Sequence, residues 1–254
     1  MLLKITEKCS MGCTHCMNNA TPEGKHMSEQ VFNDTLEFLI NNNIHNVIIL
    51  SGGEPTEHPE FVKLIKGLMF KFDSEKKHTI VTITSNGFWC LDNPELTKEI
   101  AKGSEYVDIF WQISTDRRYY PKELPVHKKL WREKNITLCE DCVVQIYPQG
   151  RALTNSIPWK SKSSRCFNIR AITKQLVNPT IELVVHKLME HHKYCTPAIR
   201  IDGTISVGES DLCPKVASIY DSPEEIIRRI KEFTCHQCDH VNDQLDPLYK
   251  QFVN

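Results

Sequence analysis

Cys9, Cys13 and Cys16 crowd into one turn-sized loop, "EKCSMGCTHC". Thiolates are soft ligands, and three of them at x3 and x2 gaps can converge on one corner of an iron–sulfur cube or on a zinc ion. A structural zinc site or an ordinary cubane is closed by four protein ligands. Three leave one position open. The bland readings are a zinc site completed by His15 or a remote residue, or chance in a chain with 11 cysteines. A short motif alone does not separate these.

Three further stretches carry polar groups in comparable places. In "IILSGGEPTEHP", Gly52 and Gly53 allow the backbone a close approach to a ligand, and Glu54, ahead of Pro55, offers a carboxylate to a cation. "ITSNG" supplies Ser85 and Asn86, and "QISTD" supplies Ser114 and Asp116. Singly, each reads equally well as a turn, a loop or a helix cap. Together they recur behind successive β-branched runs.

Those runs alternate with amphipathic segments. "LLKIT" precedes the cysteine loop, and "SEQVFNDTLEFLINNN" repeats Val31, Leu36, Leu39 and Ile40 at helical spacing behind a Ser28 cap. "NVIILS", "HTIVTITSNG", "YVDIFWQIS" and "ITLCEDCVVQIYPQ" read as further strands. "PEFVKLIKGLMFKF", "NPELTKEIAK" and "YPKELPVHKKLWREK" read as the helices between them. Such βα units predict a parallel sheet in a full or partial barrel, with chemistry on the loops that follow the strands. Past Gly150 the pattern is irregular. "WKSKSSR" reads as a solvated loop, "TIELVVHKLMEHHKY" as helix or strand plus helix, and "AIRIDGTISVG" as a hairpin turning at Asp202-Gly203. "SPEEIIRRIKEF" is a helix with Ser222 as cap and Pro223 in its first position.

The 254 residues, 40% hydrophobic, suffice for one barrel-sized domain with a small appendage. Lysine plus arginine (31) balances aspartate plus glutamate (32), so no global charge recruits nucleic acid or an acidic membrane. No apolar run approaches the roughly 18 residues of a membrane span, and no signal-peptide pattern precedes the cysteine loop; the expectation is a cytoplasmic protein.

CxxxCxxC after the first strand, followed by GGEP after the second, resembles the radical S-adenosylmethionine (radical SAM) superfamily over roughly residues 1–150. The resemblance implies an α/β fold, a partial (β/α)6 TIM-like barrel over residues 1–185, with a cysteine-rich extension containing a β-hairpin over 186–254. It implies that Cys9, Cys13 and Cys16 hold three irons of a [4Fe–4S] cluster, the open iron taking the amino and carboxylate groups of SAM. Gly52, Gly53, Glu54 and Pro55 would then serve the methionyl ammonium, Ser85 or Asn86 the carboxylate, and Ser114 and Asp116 the ribose. His15 occupies the place of an aromatic near the adenine, or donates to the cluster, and Ile146 is the apolar adenine contact on the fifth strand. The implied activity is reductive cleavage of SAM to a 5′-deoxyadenosyl radical that abstracts hydrogen from substrate, with the electron coming from a donor such as flavodoxin or ferredoxin.

Cys195, Cys213, Cys235 and Cys238 resemble the SPASM and twitch extensions of that superfamily, although the gap from Gly203 to Cys213 is longer than their usual pattern. They imply a second [4Fe–4S] cluster, with a structural zinc site as the rival. Cys139 and Cys142 lie three apart on a strand, hence on opposite faces, and read as core or reserve thiols. Cys90 reads as structural, and Cys166 is left over. Relatives with such extensions often modify peptides or proteins, which is the first expectation for substrate. Arg117, Arg118 and Tyr119, in a locally basic stretch, leave open a nucleotide or other small anionic metabolite. A non-catalytic iron–sulfur electron carrier is the remaining class, and it has no use for a SAM pocket.

Overall fold

The computed structural model describes residues 1–114, 119–121, 133–139, 150–157, 178–191, 197–211 and 213–233. Five parallel strands come first: β1 (Leu2–Thr6), β2 (Val47–Gly52), β3 (Thr79–Ser85), β4 (Val107–Ser114) and β5 (Ile136–Cys139). Between them run α1 (Glu29–Asn41), α2 (Phe61–Glu75), a short α3 (Phe88–Asp92) and α4 (Pro94–Ala101). Then follow α5 (Gly150–Thr154), α6 (Ile181–His191), β6 (Ala198–Ile199), β7 (Thr204–Ser206), β8 (Lys215–Ser218) and α7 (Pro223–Glu232). The described strands form one sheet of order β5-β4-β3-β2-β1-β6-β7-β8.

Alternation along the strands sets the layers. Leu3, Ile5, Ile48, Leu50, Val81, Ile83, Ile109 and Trp111 point to one face and are buried in a single core with Phe32, Leu36 and Leu39 of α1 and Leu64, Ile65, Leu68 and Phe72 of α2. Each such side chain contributes about 1.5–3 kcal/mol on burial, so this face fixes the strand register. The alternate positions Ser51, Thr84 and Gln112 are half-buried on the other face, beneath the carboxyl ends of the strands. Helix caps follow the sequence: Ser28 accepts from the Val31 N–H (3.2 Å) and Ser222 from the Glu225 N–H (3.3 Å).

The predicted hairpin turns where expected, with Gly203 at φ +77° and the Arg200 and Thr204 backbones bonded across it. Its first strand, β6, pairs in parallel with β1, so the hairpin continues the barrel sheet. β8, α3 and α5 are additions to the sequence reading, the ambiguous segment at 181–191 is one helix, and the boundary expected at 185/186 falls within it. The helix expected between β4 and β5 and the distal part of the fifth strand lie outside the described residues.

Candidate active site

The cysteine loop leaves β1 and closes on itself through Glu7 N–H to Lys25 O (2.8 Å) and Cys9 N–H to Thr21 O (2.9 Å), with Gly12 at φ +68° making the bend before Cys13. All three cysteines line one cavity of about 360 Å³ at the carboxyl ends of the strands, within the range of a small-ligand site. Burial pushes the Cys9 and Cys13 thiols up to about 12; Glu54, Glu57 and Cys16 add to it at Cys9, and Cys9 and Cys16 add to it at Cys13. Thiolates here therefore need a cation that displaces their protons.

Among the described residues, no three cysteine, histidine or acidic side chains are gathered so as to hold a single metal ion. A zinc site needs its sulfurs drawn in to about 2.3 Å from one centre, whereas a cubane takes one thiolate per iron around a larger body. The three thiols line one cavity, and this donor set fits a cluster with one thiolate per iron. His15, the zinc ligand of the bland reading, instead has its ring between those of Tyr119 and Tyr120, at centroid distances of 5.4 and 5.2 Å, and lines the cavity.

The Gly52–Pro55 turn is bound to the start of the same loop. Gly53 N–H donates to Thr6 O (2.7 Å) and Glu54 N–H to Lys8 O (2.8 Å). A Cβ on Gly53 would stand 2.0 Å from Lys8 O, and one on Gly52, at φ +118°, 2.3 Å from Thr6 O. The demand for both glycines thus comes from the chain's own backbone, whereas the sequence reading assigned it to a ligand.

Pro55 starts a single 3-10 turn, Pro55–Glu57, and Glu54 caps it. The Glu54 side chain is 3% exposed and lines the cavity. Its Oε1 accepts from Thr56 Oγ1 (2.6 Å), Ser85 Oγ (2.8 Å) and Thr56 N–H (3.3 Å), and its Oε2 from Asn86 N–H (2.7 Å). Burial raises this carboxyl above the ordinary range, and those four donors act against the rise. A carboxylate accepts about four bonds over two oxygens, so Oε2, with one donor, retains room for a cation.

Parallel register brings the remaining expected residues to one rim. Thr6 pairs with Gly52, Ser85 with Ile113 and Ser114 with Cys139. Ser85, Asn86 and Ser114 line the cavity, and the Ser85 hydroxyl is engaged by Glu54. Tyr120 lines it as well, whereas Tyr119 receives Thr14 N–H on its carbonyl (3.0 Å) and packs its side chain against Ala152. Asp116, Arg117, Arg118, Ile146, Cys142, Cys166, Cys195, Cys235 and Cys238 lie outside the described residues. Cys213 is half-buried behind the hairpin. Cys90 is fully buried, as a structural thiol should be. Cys139, read as a core or reserve thiol, lines the cavity and takes part in a disulfide.

Several cavity residues went unnoticed in the sequence. Asn18, two positions after the last cysteine, donates to Gly52 O (2.9 Å) and accepts from Lys4 Nζ (2.7 Å). Glu209, on the loop after β7, reaches the cavity and accepts from Ser51 Oγ (3.0 Å). That loop is held by Arg200, which donates to Ser210 O and Cys213 O (both 2.8 Å) and pairs with Asp211 (3.2 Å), and by Lys4, which also bonds Asp211 (2.9 Å). Arg151 lies beneath the cysteine loop and donates to Cys13 O (2.8 Å) and Ala20 O (2.6 Å). A lysine buried on the first strand was the one legible signal, since a charge there demands partners.

The sequence signature of the radical SAM superfamily matches residues 3–141, and the chain belongs to that superfamily. It is therefore an enzyme of the class that holds a [4Fe–4S] cluster and binds SAM. Solved structures that share its fold include BtrN in complex with AdoMet and 2-DOIA (TM-score 0.56, 11% identity, covering 91% of this chain and 83% of that one). Another is anSMEcpe with bound AdoMet and Cp18Cys peptide (TM-score 0.53, 14% identity, covering 94% and 84%). A third is SuiB of Streptococcus suis bound to S-adenosylmethionine (TM-score 0.50, 14% identity, covering 91% and 67%). At these identities the likeness speaks for the fold. No curated protein matches the chain, and no helix among the described residues is long and apolar enough to cross a membrane.

Proposed function

We propose that this enzyme cleaves SAM reductively and directs the resulting radical at a peptide or protein substrate. The observation that carries the SAM site is the buried Glu54 carboxylate, which lines the same cavity as Cys9, Cys13 and Cys16 and keeps acceptor capacity on Oε2. When bound, the cluster supplies one electron to the sulfonium of SAM, giving methionine and the 5′-deoxyadenosyl radical that takes hydrogen from substrate.

The chain's own residues then position the reactants. Cys9, Cys13 and Cys16 hold three irons and leave the fourth to SAM. Glu54 takes the methionyl ammonium, with Thr56, Ser85 and the Asn86 N–H fixing its carboxylate. The Asn86 amide is offered to the methionyl carboxylate, Ser114 and Asp116 to the ribose, and His15 and Ile146 to the adenine. Tyr120 and Glu209, which also line the cavity, would help exclude water around the reacting carbon. A low-potential donor of the flavodoxin or ferredoxin kind would supply the electron, in keeping with a cytoplasmic enzyme. Cys213 with Cys195, Cys235 and Cys238 would hold a second [4Fe–4S] cluster, or zinc, in the extension over residues 186–254.

Two considerations support a peptide. The anSMEcpe structure of the same fold holds one, and among the described residues the cavity is lined by the carboxylates Glu54 and Glu209 and by no lysine or arginine, which is a poor match to a phosphate. The second reading, a small metabolite, draws on BtrN with its small ligand and on Arg117 and Arg118.

A deuterium transfer experiment separates the two. Reconstituted enzyme, SAM and dithionite are incubated with either the peptide fraction or the low-mass fraction of cells grown in D2O, and 5′-deoxyadenosine is analysed by mass. Deuterium acquired from the peptide fraction is the expected result. Deuterium acquired from the low-mass fraction alone overturns the peptide assignment.

A further inference from the structure

We propose that Glu57 and Arg151 form two opposed charged clamps on the cysteine loop which together set the reduction potential of its cluster. The proposal rests on reading Cys9, Cys13 and Cys16 as cluster ligands, and it extends that reading to two positioning residues outside the recognised motifs.

Glu57 closes the 3-10 turn behind Glu54. One of its oxygens accepts the Ser10 N–H and the other the Ser10 hydroxyl, both at 2.8 Å, so both oxygens are committed to the residue beside Cys9. Arg151 works from the opposite side. Its Nε and Nη1 donate to Cys13 O and Ala20 O, and its backbone N–H donates to Cys16 O (2.9 Å). One residue thereby ties together the second cysteine, the third cysteine and the end of the loop. Asn155 adds a bond to Thr14 O (2.9 Å). Gly150, at φ +55°, sits so close beneath that a Cβ there would stand 2.5 Å from Cys16 O, so α5 is seated directly on the loop backbone.

Among the described residues, the Arg151 side chain bonds only carbonyl oxygens and the Glu57 side chain only Ser10, so neither takes part in an ion pair there. Reduction adds an electron to an already anionic assembly of thiolates and cluster. A fixed positive charge beside Cys13 favours that step, and a fixed negative charge beside Cys9 opposes it.

The two clamps therefore act alike mechanically, both holding the loop, and oppositely electrostatically. That difference makes the proposal testable without a substrate. The anaerobically reconstituted parent, Glu57→Gln, Arg151→Gln and Arg151→Lys would be compared by iron and sulfide content and by the midpoint of the one-electron couple, followed by electron paramagnetic resonance. At a fixed poise, Glu57→Gln is expected to raise the ratio of reduced to oxidised cluster by at least about threefold and Arg151→Gln to lower it by a similar factor, tenfold corresponding to 59 mV. Arg151→Lys, which keeps the charge, should stay within about twofold of the parent.

Shifts of the same sign in Glu57→Gln and Arg151→Gln, or unmoved midpoints at full iron content, overturn the proposal. If Arg151→Gln holds no cluster, the test passes to Glu57→Gln, whose unchanged midpoint overturns it equally. A parent that takes up no iron fails earlier, and what falls then is the reading of the cysteines themselves.

Discussion

The centre of the sheet and its hairpin end fix their cavity residues by different means. At the central β1–β2 pair, backbone meets backbone: Gly53 and Glu54 donate to Thr6 O and Lys8 O. At the hairpin end, the loop carrying Glu209 and Cys213 is fixed by side-chain charges, Arg200 and Lys4 converging on Asp211, with Arg200 also bonding two carbonyls of the loop. The first arrangement excludes any Cβ and so imposes glycines at fixed places. The second needs only that distant charges find one another. One leaves a written motif, and the other does not.

Substitutions in the two regions should accordingly fail in different ways. The largest effect is expected from Gly53→Ala, which puts a methyl group 2.0 Å from Lys8 O; SAM cleavage should fall roughly 100-fold or more, as a displacement near 1 Å commonly costs. A variant that still cleaves within a fewfold of the parent would show that the glycine is not dictated by the backbone.

At the hairpin, Arg200→Met removes a buried guanidinium from two carbonyls and a carboxylate. It should lower unfolding stability by about 2–3 kcal/mol in denaturant titration. Iron bound by the first three cysteines should be unaffected. Loss of that iron would mean the two regions are coupled more tightly than their contacts indicate.

Glu54→Gln should weaken SAM binding roughly 10- to 100-fold, the range for losing a charge-assisted hydrogen bond. Burial raises the carboxyl of Glu54, and an ammonium pairs with its ionised form. In the parent, affinity should therefore fall as pH drops through a value above the ordinary carboxylate range, and in Glu54→Gln it should be flat over that interval. Calorimetric titration across pH checks both.

The smallest effect belongs to Asp202 in the hairpin turn. Partial burial acts to raise its carboxyl, but Lys215 and Thr204 outweigh it and hold it at about 2, below the ordinary 3.8. A depressed carboxyl contributes stability above about pH 4 and loses it as pH falls towards 2. Because the pair with Lys215 is half-exposed, Asp202→Asn should cost under about 1 kcal/mol at neutral pH, and the difference should vanish near pH 2.

The same contrast explains what could be read from the sequence. The five parallel strands, the caps at Ser28 and Ser222 and the hairpin at Gly203 depend on local periodicity and turn chemistry, and they stand where the sequence puts them. The rim formed by Cys9, Cys13, Cys16, Glu54, Ser85 and Ser114 was legible because parallel strands deliver their following loops to one side. Arg151, Asn18 and Glu209 were not, since each acts through partners set by the tertiary fold; the bond between Asn155 and Thr14 spans 141 positions. The place of Cys139 was not legible for a related reason: strand alternation separates two faces without saying which borders the cavity, and pairing with Ser114 puts Cys139 on the cavity face with Gln112 and Thr84.

The central claim is that three thiolates and Glu54 build one site for a SAM-cleaving cluster. The most direct measurement is the yield of 5′-deoxyadenosine when anaerobically reconstituted protein is given SAM and dithionite, beside the Cys13→Ala variant. The account predicts 5′-deoxyadenosine and methionine in equal amounts from the parent and none from the variant. A parent carrying its full cluster that yields no 5′-deoxyadenosine, or one whose N-terminal cysteines retain zinc in place of iron, would contradict it.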